Sequence, residues 1–186
     1  MEVDYINRDR ELVEKAKRGN RLAEYQLYQK YARAMFNVSY RMLNNFEEAE
    51  DVLQDAFIDV FRRLNTFRYE STIGSWIKKV VVNRCINVLK KRKIDMFLSD
   101  DLVKYEAMDE TALNQDHIRY DVGQLRELIK KLPEGYRLIF SLYSLEGYDH
   151  EEISQILNIS VSTSKTQYMR AKNKIIESIK ANSNER

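Results

Sequence analysis

Apolar positions along the chain recur mostly at spacings of three and four, the signature of amphipathic helices. In the first stretch Leu12, Ala16, Leu22, Ala23, Leu27, Tyr31, Ala34, Met35, Val38 and Met42 keep that spacing. Gly19-Asn20 interrupts it, so the pattern predicts a short helix, a break and a longer helix stopped by Asn44-Asn45. Asn45 stands three residues before Glu48, a capping-box-like start. Ala49, Val52, Leu53, Ala56, Val60, Phe61 and Leu64 then carry the next helix. A polar loop over 65–71 and a third long helix over 72–93 follow. On that helix Ile73, Ile77, Val80 and Val88 are expected to face the core, opposite a stripe of Lys79, Asn83, Asn87 and Lys90.

The pattern resumes after residue 121. Residues 122–132 predict a short helix ending before Pro133, which suits the first turn of a helix over 134–145. Gly147 supplies its stop. Asp149-His150-Glu151-Glu152 predicts another cap with acidic residues in the first turn. A short helix over 151–157, a turn at Asn158-Ile159-Ser160 and a longer polar helix over 161–179 then form a helix-turn-helix pattern. Ile153, Ile156, Leu157, Ile159 and Val161 supply its apolar contacts.

Composition narrows the fold class to all-α. The 186 residues hold Gly 5 and Pro 1, about 3% of the chain against roughly 12% in an average protein. Sheets and barrels need those residues at their turns. No G-x-G-x-x-G or G-x-x-x-x-G-K occurs, which argues against classical nucleotide binding. Cys85 is the sole cysteine, so an internal disulfide and a multi-cysteine zinc site are excluded, compatibly with a reducing cytoplasm. Met1-Glu2-Val3-Asp4 does not read as a signal peptide. No wholly apolar stretch outruns Val80-Val81-Val82, so no membrane insertion and a cytoplasmic location are expected.

The net charge of +2 conceals segregation. Residues 1–93 carry 19 Lys/Arg against 13 Asp/Glu, residues 94–121 carry 2 against 8, and residues 122–186 carry 10 against 8. An acidic strip between basic segments reads as a linker between two nucleic-acid-facing modules, 1–93 and 122–186. The alternative is an acidic solvated loop.

Three constellations carry candidate chemistry. On the second helix of the helix-turn-helix, Thr163, Thr166, Gln167 and Arg170 are expected on an exposed side, with Lys165 and Met169 nearby. Such groups reach base edges and phosphates, although a plain helical hairpin would show the same pattern. The helix over 72–93 holds Lys78, Lys79, Arg84, Lys90, Lys91, Arg92 and Lys93, with no acid between Ile73 and Ile94. Basic and amide groups in one stripe suit a nucleic-acid backbone, or merely solubility. Trp76 is expected in the core, while Arg68 and Tyr69 are better placed for unstacked bases. Finally, Asp51, Asp55 and Asp59 recur every four residues beside Glu47, Glu48 and Glu50. This row allows metal-dependent hydrolysis, a solvated face or a docking surface for a basic partner. Cys85 is expected to be buried, and neither His117 nor His150 suggests a ligand set, so no metal or cofactor is called for.

Taken in order, the stretches Ala49-Glu50-Asp51-Val52-Leu53-Gln54-Asp55-Ala56-Phe57, Phe67-Arg68, and Ser75-Trp76-Ile77 through Asn83 resemble bacterial RNA polymerase sigma factors of the extracytoplasmic-function (ECF) group. So do Leu132-Pro133-Glu134, Gly147, Glu151-Glu152-Ile153, Ile159-Ser160-Val161-Ser162-Thr163 and Arg170-Ala171. The resemblance implies two small helical domains, sigma region 2 over 1–93 and a helix-turn-helix region 4 over 122–186, joined by a flexible acidic linker over 94–121. It implies a non-enzymatic factor whose Asp51, Gln54, Asp55 and Ile58 grip core RNA polymerase. Arg68, Tyr69, Lys79, Asn83, Asn87 and Lys90 would read the −10 promoter element and help to open it. Ser162, Thr163, Lys165, Thr166, Met169 and Arg170 would contact the −35 element. An anti-sigma partner, soluble or membrane-anchored, is also implied. This chain departs from the family pattern at Ser164, Gln167 and Tyr69, where Val, Arg and Gly respectively are common. A helix-turn-helix regulator acting alone and a metal-dependent nuclease are the competing functions.

Overall fold

A computed structural model describes residues 9–92 and 122–184. The predicted linker, with His117, lies outside them. Eight α-helices and no strand occupy the described residues: α1 (Arg10–Lys17), α2 (Arg21–Leu43), α3 (Phe46–Arg63), α4 (Ile73–Lys91), α5 (Val122–Lys130), α6 (Glu134–Phe140), α7 (His150–Leu157) and α8 (Val161–Asn184). The chain divides into two compact units, Met1–Lys93 and Ile94–Arg186.

In the first unit the helix boundaries follow local hydrogen bonding. Asn20 accepts from the Ala23 N–H at 3.0 Å and starts α2. Asn44 adopts the left-handed conformation (φ 52°) and ends α2, as Asn does more readily than other side chains. Asn45 accepts from the Glu48 N–H at 3.1 Å, and Thr72 accepts from the Ser75 N–H at 3.1 Å. The capping box expected at Asn45 is replaced by another contact, because the Glu48 carboxylate pairs with Arg92. Helices α2, α3 and α4 pack on one another, and α1 lies across α2. Their core includes Leu27, Met42, Leu43, Val60, Leu64, Ile77, Cys85 and Leu89, all fully buried.

Some positions depart from the expected stripe. On α4 the buried row is Ile73, Ile77, Val81, Val82, Cys85, Ile86 and Leu89, while Val80 and Val88 are only half-buried. With three successive valines, neighbouring registers bury similar apolar area, and packing against α2 and α3 decides between them. Leu22 and Ala34 are exposed on α2, whereas Val13, rather than Leu12, is buried on α1.

In the second unit Ile129, Leu132, Ala171 and Ile175 form a core flanked by Leu125, Leu128, Tyr136, Phe140 and Ile179. Pro133 stands at the N-cap of α6, one position before the predicted first turn, and its carbonyl accepts from the Arg137 N–H at 2.9 Å. Arg137 is buried and donates back to the Leu132 carbonyl at 3.0 Å, closing the α5–α6 turn. Past Phe140 the α6 axis continues as a π-helical turn over Ser141–Leu145, and Gly147 (φ 77°) ends it. Asp149 and Glu152 form a reciprocal capping box on α7. Asn158 (φ 56°) then makes the turn, and Ser160 caps α8 by accepting from the Thr163 N–H at 2.9 Å.

Candidate nucleic-acid interfaces

The acidic face of α3 results from simple helical geometry. Ala49, Val52, Leu53, Ala56, Phe57 and Val60 turn inward, which leaves Asp51, Gln54, Asp55 and Ile58 exposed together. Ile58 is 49% exposed, an apolar side chain set among these polar ones. The regular Asp51–Asp55–Asp59 row is broken by Arg84 of α4. Arg84 Nε donates to Asp59 at 2.8 Å, and its Nη1 lies 3.4 Å from Asp55. Asp59 thereby becomes a half-buried partner, its side chain 14% exposed against 62% for Asp55. A guanidinium already facing two of the carboxylates opposes a cation there. Among the described residues no group of three ligating side chains converges on a metal position.

Beside this face lies an open groove of about 340 Å³ between α2 and α3, lined by Tyr28, Ala32, Phe36, Phe46, Glu50 and Gln54 among others. Phe36 and Phe46 meet edge to face, 5.1 Å apart, and Phe46 is 57% exposed. Helical spacing alone does not mark this groove. Its signal was the set of aromatic residues standing off the core stripe.

The second surface comprises residues 65–71 and α4. Lys79, Asn83, Asn87 and Lys90 are all exposed along one line of α4, as expected. Trp76 is half-buried, its ring 5.5 Å from that of Phe67. The loop is less polar than predicted. A 3₁₀ turn over Leu64–Thr66 leads into Phe67, which is buried. Arg68 is exposed. Tyr69 has φ 62°, a left-handed conformation costly for an aromatic residue. Its hydroxyl donates to Glu14 Oε1 at 2.6 Å. Burial and the neighbouring Glu14 carboxylate push the Tyr69 phenol up to about 12, so it remains a donor at neutral pH. The same bond, with help from Lys17, holds Glu14 below the usual carboxylate range.

The third surface is the start of α8. Ser162, Lys165, Thr166 and Met169 are exposed and Arg170 is half-exposed. Thr163 and Gln167 depart from the expected exposed row, being 7% and 4% exposed. Thr163 Oγ1 lies 2.8 Å from Ser160 Oγ, within the cap that begins the helix. The inward row runs through Thr163, Gln167 and Ala171, one helical turn apart, so the helix cannot present these residues outward as well. Ser164 is fully buried and its Oγ lies 2.9 Å from Nδ1 of His150, the first residue of α7. The His150 ring stacks on Tyr143 at 4.4 Å, and Tyr168 borders both rings. Burial chiefly, then Lys165, lowers the His150 pKa against an opposing pull from Asp149.

Two family models match the chain. The Sigma-70 region 2 model matches residues 27–94, and the Sigma-70, region 4 model matches residues 123–175. The RNA polymerase sigma-H factor of Pseudomonas aeruginosa is 30% identical over 179 residues, covering 90% of this chain and 91% of that protein. The chain belongs to the RNA polymerase sigma factors of the ECF type. The ECF sigma factor SigW of Bacillus subtilis is 27% identical over 169 residues, covering 86% of this chain and 90% of that protein. Among solved structures, the sigma factor RpoE bound to the anti-sigma factor NepR from Bartonella quintana has a TM-score of 0.54 at 19% identity, covering 84% of this chain and 96% of that one. CnrH in complex with the cytosolic domain of CnrY gives the same TM-score and identity, with 93% and 97% covered. These two likenesses bear on the fold. The sigma factor is accordingly an alternative transcription initiation factor rather than an enzyme. No helix among its described residues is long and apolar enough to cross a membrane.

Proposed function

We propose that this sigma factor recruits core RNA polymerase through the α3 face and reads two promoter elements with its separate units. In this reading residues 1–93 and 122–186 act as region 2 and region 4, and residues 94–121 connect them. Asp51, Gln54, Asp55 and Ile58 meet a basic helical surface of the polymerase. The exposed acids supply charge-assisted pairs, and Ile58 supplies the apolar anchor. Arg68, Lys79, Asn83, Asn87 and Lys90 bind the −10 element, and Tyr69 shapes the loop that carries Arg68. Cations and amides there hold the opened strand while an unstacked base enters the loop, at an unstacking cost of a few kcal/mol. Ser162, Lys165, Thr166, Met169 and Arg170 meet the −35 duplex, with Thr163 supporting the helix start from inside. The sigma–anti-sigma assemblies among the structural neighbours favour an anti-sigma partner here as well, and cytoplasmic action follows from the family.

The observation that carries this reading is the pairing of region 2 and region 4 matches in one chain. A helix-turn-helix regulator acting alone needs only the second. The test is co-purification with core polymerase followed by transcription from a library of promoters in vitro. Stable core binding and transcripts starting at a restricted promoter set are expected. No transcript from any promoter, alongside tight binding to free duplex DNA, contradicts the proposal.

A further inference from the structure

We infer that Glu14 and Lys17 of α1 are positioning residues for the base-reading loop, holding it through Tyr69 and the Phe67 carbonyl. The inference rests on the proposed −10 role of residues 65–71 and extends it to a helix that precedes the region 2 match. The region 2 match begins at residue 27, whereas α1 ends at Lys17.

The contacts form a closed set. Tyr69 Oη donates to Glu14 Oε1 at 2.6 Å. Lys17 Nζ donates to the same Glu14 oxygen and to the Phe67 carbonyl oxygen, each at 3.1 Å. That ammonium also lies 4.5 Å from the Tyr69 ring centroid, and the Arg10 guanidinium lies 5.2 Å from it. The rings of Phe67 and Tyr69 are 4.7 Å apart. Two loop residues flanking Arg68 are therefore tied to one turn of α1, some fifty residues away in sequence. Arg68, between the tied positions, is exposed.

Tyr69 itself argues that the tie has a purpose. Its left-handed backbone (φ 62°) would be adopted without strain by glycine. An aromatic side chain persists in that conformation where its surroundings over-determine it, and the Glu14 bond, the Lys17 cation and the Phe67 ring do so. The Tyr69 ring is thereby committed to the loop's own architecture. The base-facing side chain in this chain is Arg68, presented on a braced loop. Bracing before binding lowers the ordering cost of capturing a base and sharpens discrimination between bases.

The experiment uses holoenzyme assembled with core polymerase on a promoter library randomised across the −10 positions, with enrichment read by sequencing the transcripts. Glu14→Gln and Tyr69→Phe keep side-chain size and remove the charge-assisted bond. Each is expected to lower discrimination at the loop-read base about tenfold, the worth of one such bond, with core affinity unchanged. Arg68→Ala is expected to flatten the same position. Hydrogen exchange of the free protein gives a second measurement, with the amides of residues 68–71 exchanging about tenfold faster in both α1–loop variants. Wild-type enrichment profiles and wild-type exchange in Glu14→Gln and Tyr69→Phe, with a flattened profile in Arg68→Ala, overturn the brace and leave the −10 reading standing. A profile unchanged in Arg68→Ala overturns the −10 reading of the loop, and the brace's part in specificity with it.

Discussion

The two units hold their helices by different means. Among the described residues, the first unit encloses one polar side chain, Ser39, whose hydroxyl donates to the Met35 carbonyl at 3.2 Å. The second encloses Arg137, Ser141, Glu146, Thr163, Ser164 and Gln167. In the first, the long helices α2, α3 and α4 offer enough apolar surface to settle one another's positions. In the second, α7 has only 8 residues, and its placement against α8 uses the directed contact between His150 and Ser164. Apolar contacts are insensitive to pH and tolerate repacking, whereas a hydrogen-bonded imidazole fixes an angle and can titrate. Helix α8, the proposed DNA-reading helix of the second unit, is thus held by the more condition-sensitive of the two arrangements.

The largest effect should come from opening each core separately. Leu27→Ala and Leu138→Ala both remove fully buried side chains, at a cost of about 3 kcal/mol each. Calorimetry is expected to show Leu27→Ala lowering the transition of the first unit alone and Leu138→Ala that of the second alone. A shift of both transitions by either variant would break the comparison. Gly74→Ala comes next. A Cβ there would stand 2.8 Å from Cε1 of Tyr31, whose hydroxyl bonds Asp9. The crowded first unit should lose about 2 kcal/mol, seen as a lower denaturation midpoint.

Smaller effects of opposite sign are expected in the second unit. Gln167 Oε1 is buried without a hydrogen-bond partner, so Gln167→Met should raise that unit's stability by about 1 kcal/mol in chemical denaturation. The smallest effect is on acid sensitivity. Because the folded His150 pKa lies below its ordinary 6.5, the second unit keeps its full contribution above that value. It loses stability as pH falls from 6.5 towards the folded pKa, since the unfolded chain takes up the proton first. Melting curves across that interval should show the loss in wild type and its absence in His150→Asn.

The sequence made the punctuation of the fold plain. Gly19-Asn20, Asn44-Asn45, Pro133, Gly147 and Asn158 each sit at a helix boundary, because caps and left-handed residues act locally. The exposed acids on α3 and the stripe on α4 were legible too, since helical periodicity separates Asp51 and Asp55 from Val52 and Ala56, while Gln54 and Ile58 entered only through the family resemblance. Non-local effects were not legible. The inward register of α4 depended on partners elsewhere in the chain, and Arg84 withdrew Asp59 from the acidic row across 25 residues. Thr163 and Gln167 read as surface residues because polarity predicts exposure unless a small, crowded unit turns that side of the helix inward. The α1–loop contacts left no trace in the spacing, since Glu14 and Tyr69 stand 55 residues apart.

The separation of polymerase binding from promoter reading is tested most directly by substituting the two surfaces in parallel and measuring core-polymerase affinity beside transcription from one responsive promoter. Asp51→Arg with Asp55→Arg should weaken core binding at least tenfold, by reversing charges at a charge-complementary surface. Lys165→Ala with Arg170→Ala should leave core affinity unchanged and abolish dependence on the −35 sequence. Loss of core binding in the Lys165/Arg170 variant, or its retention in the Asp51/Asp55 variant, would contradict the assignment of the two faces.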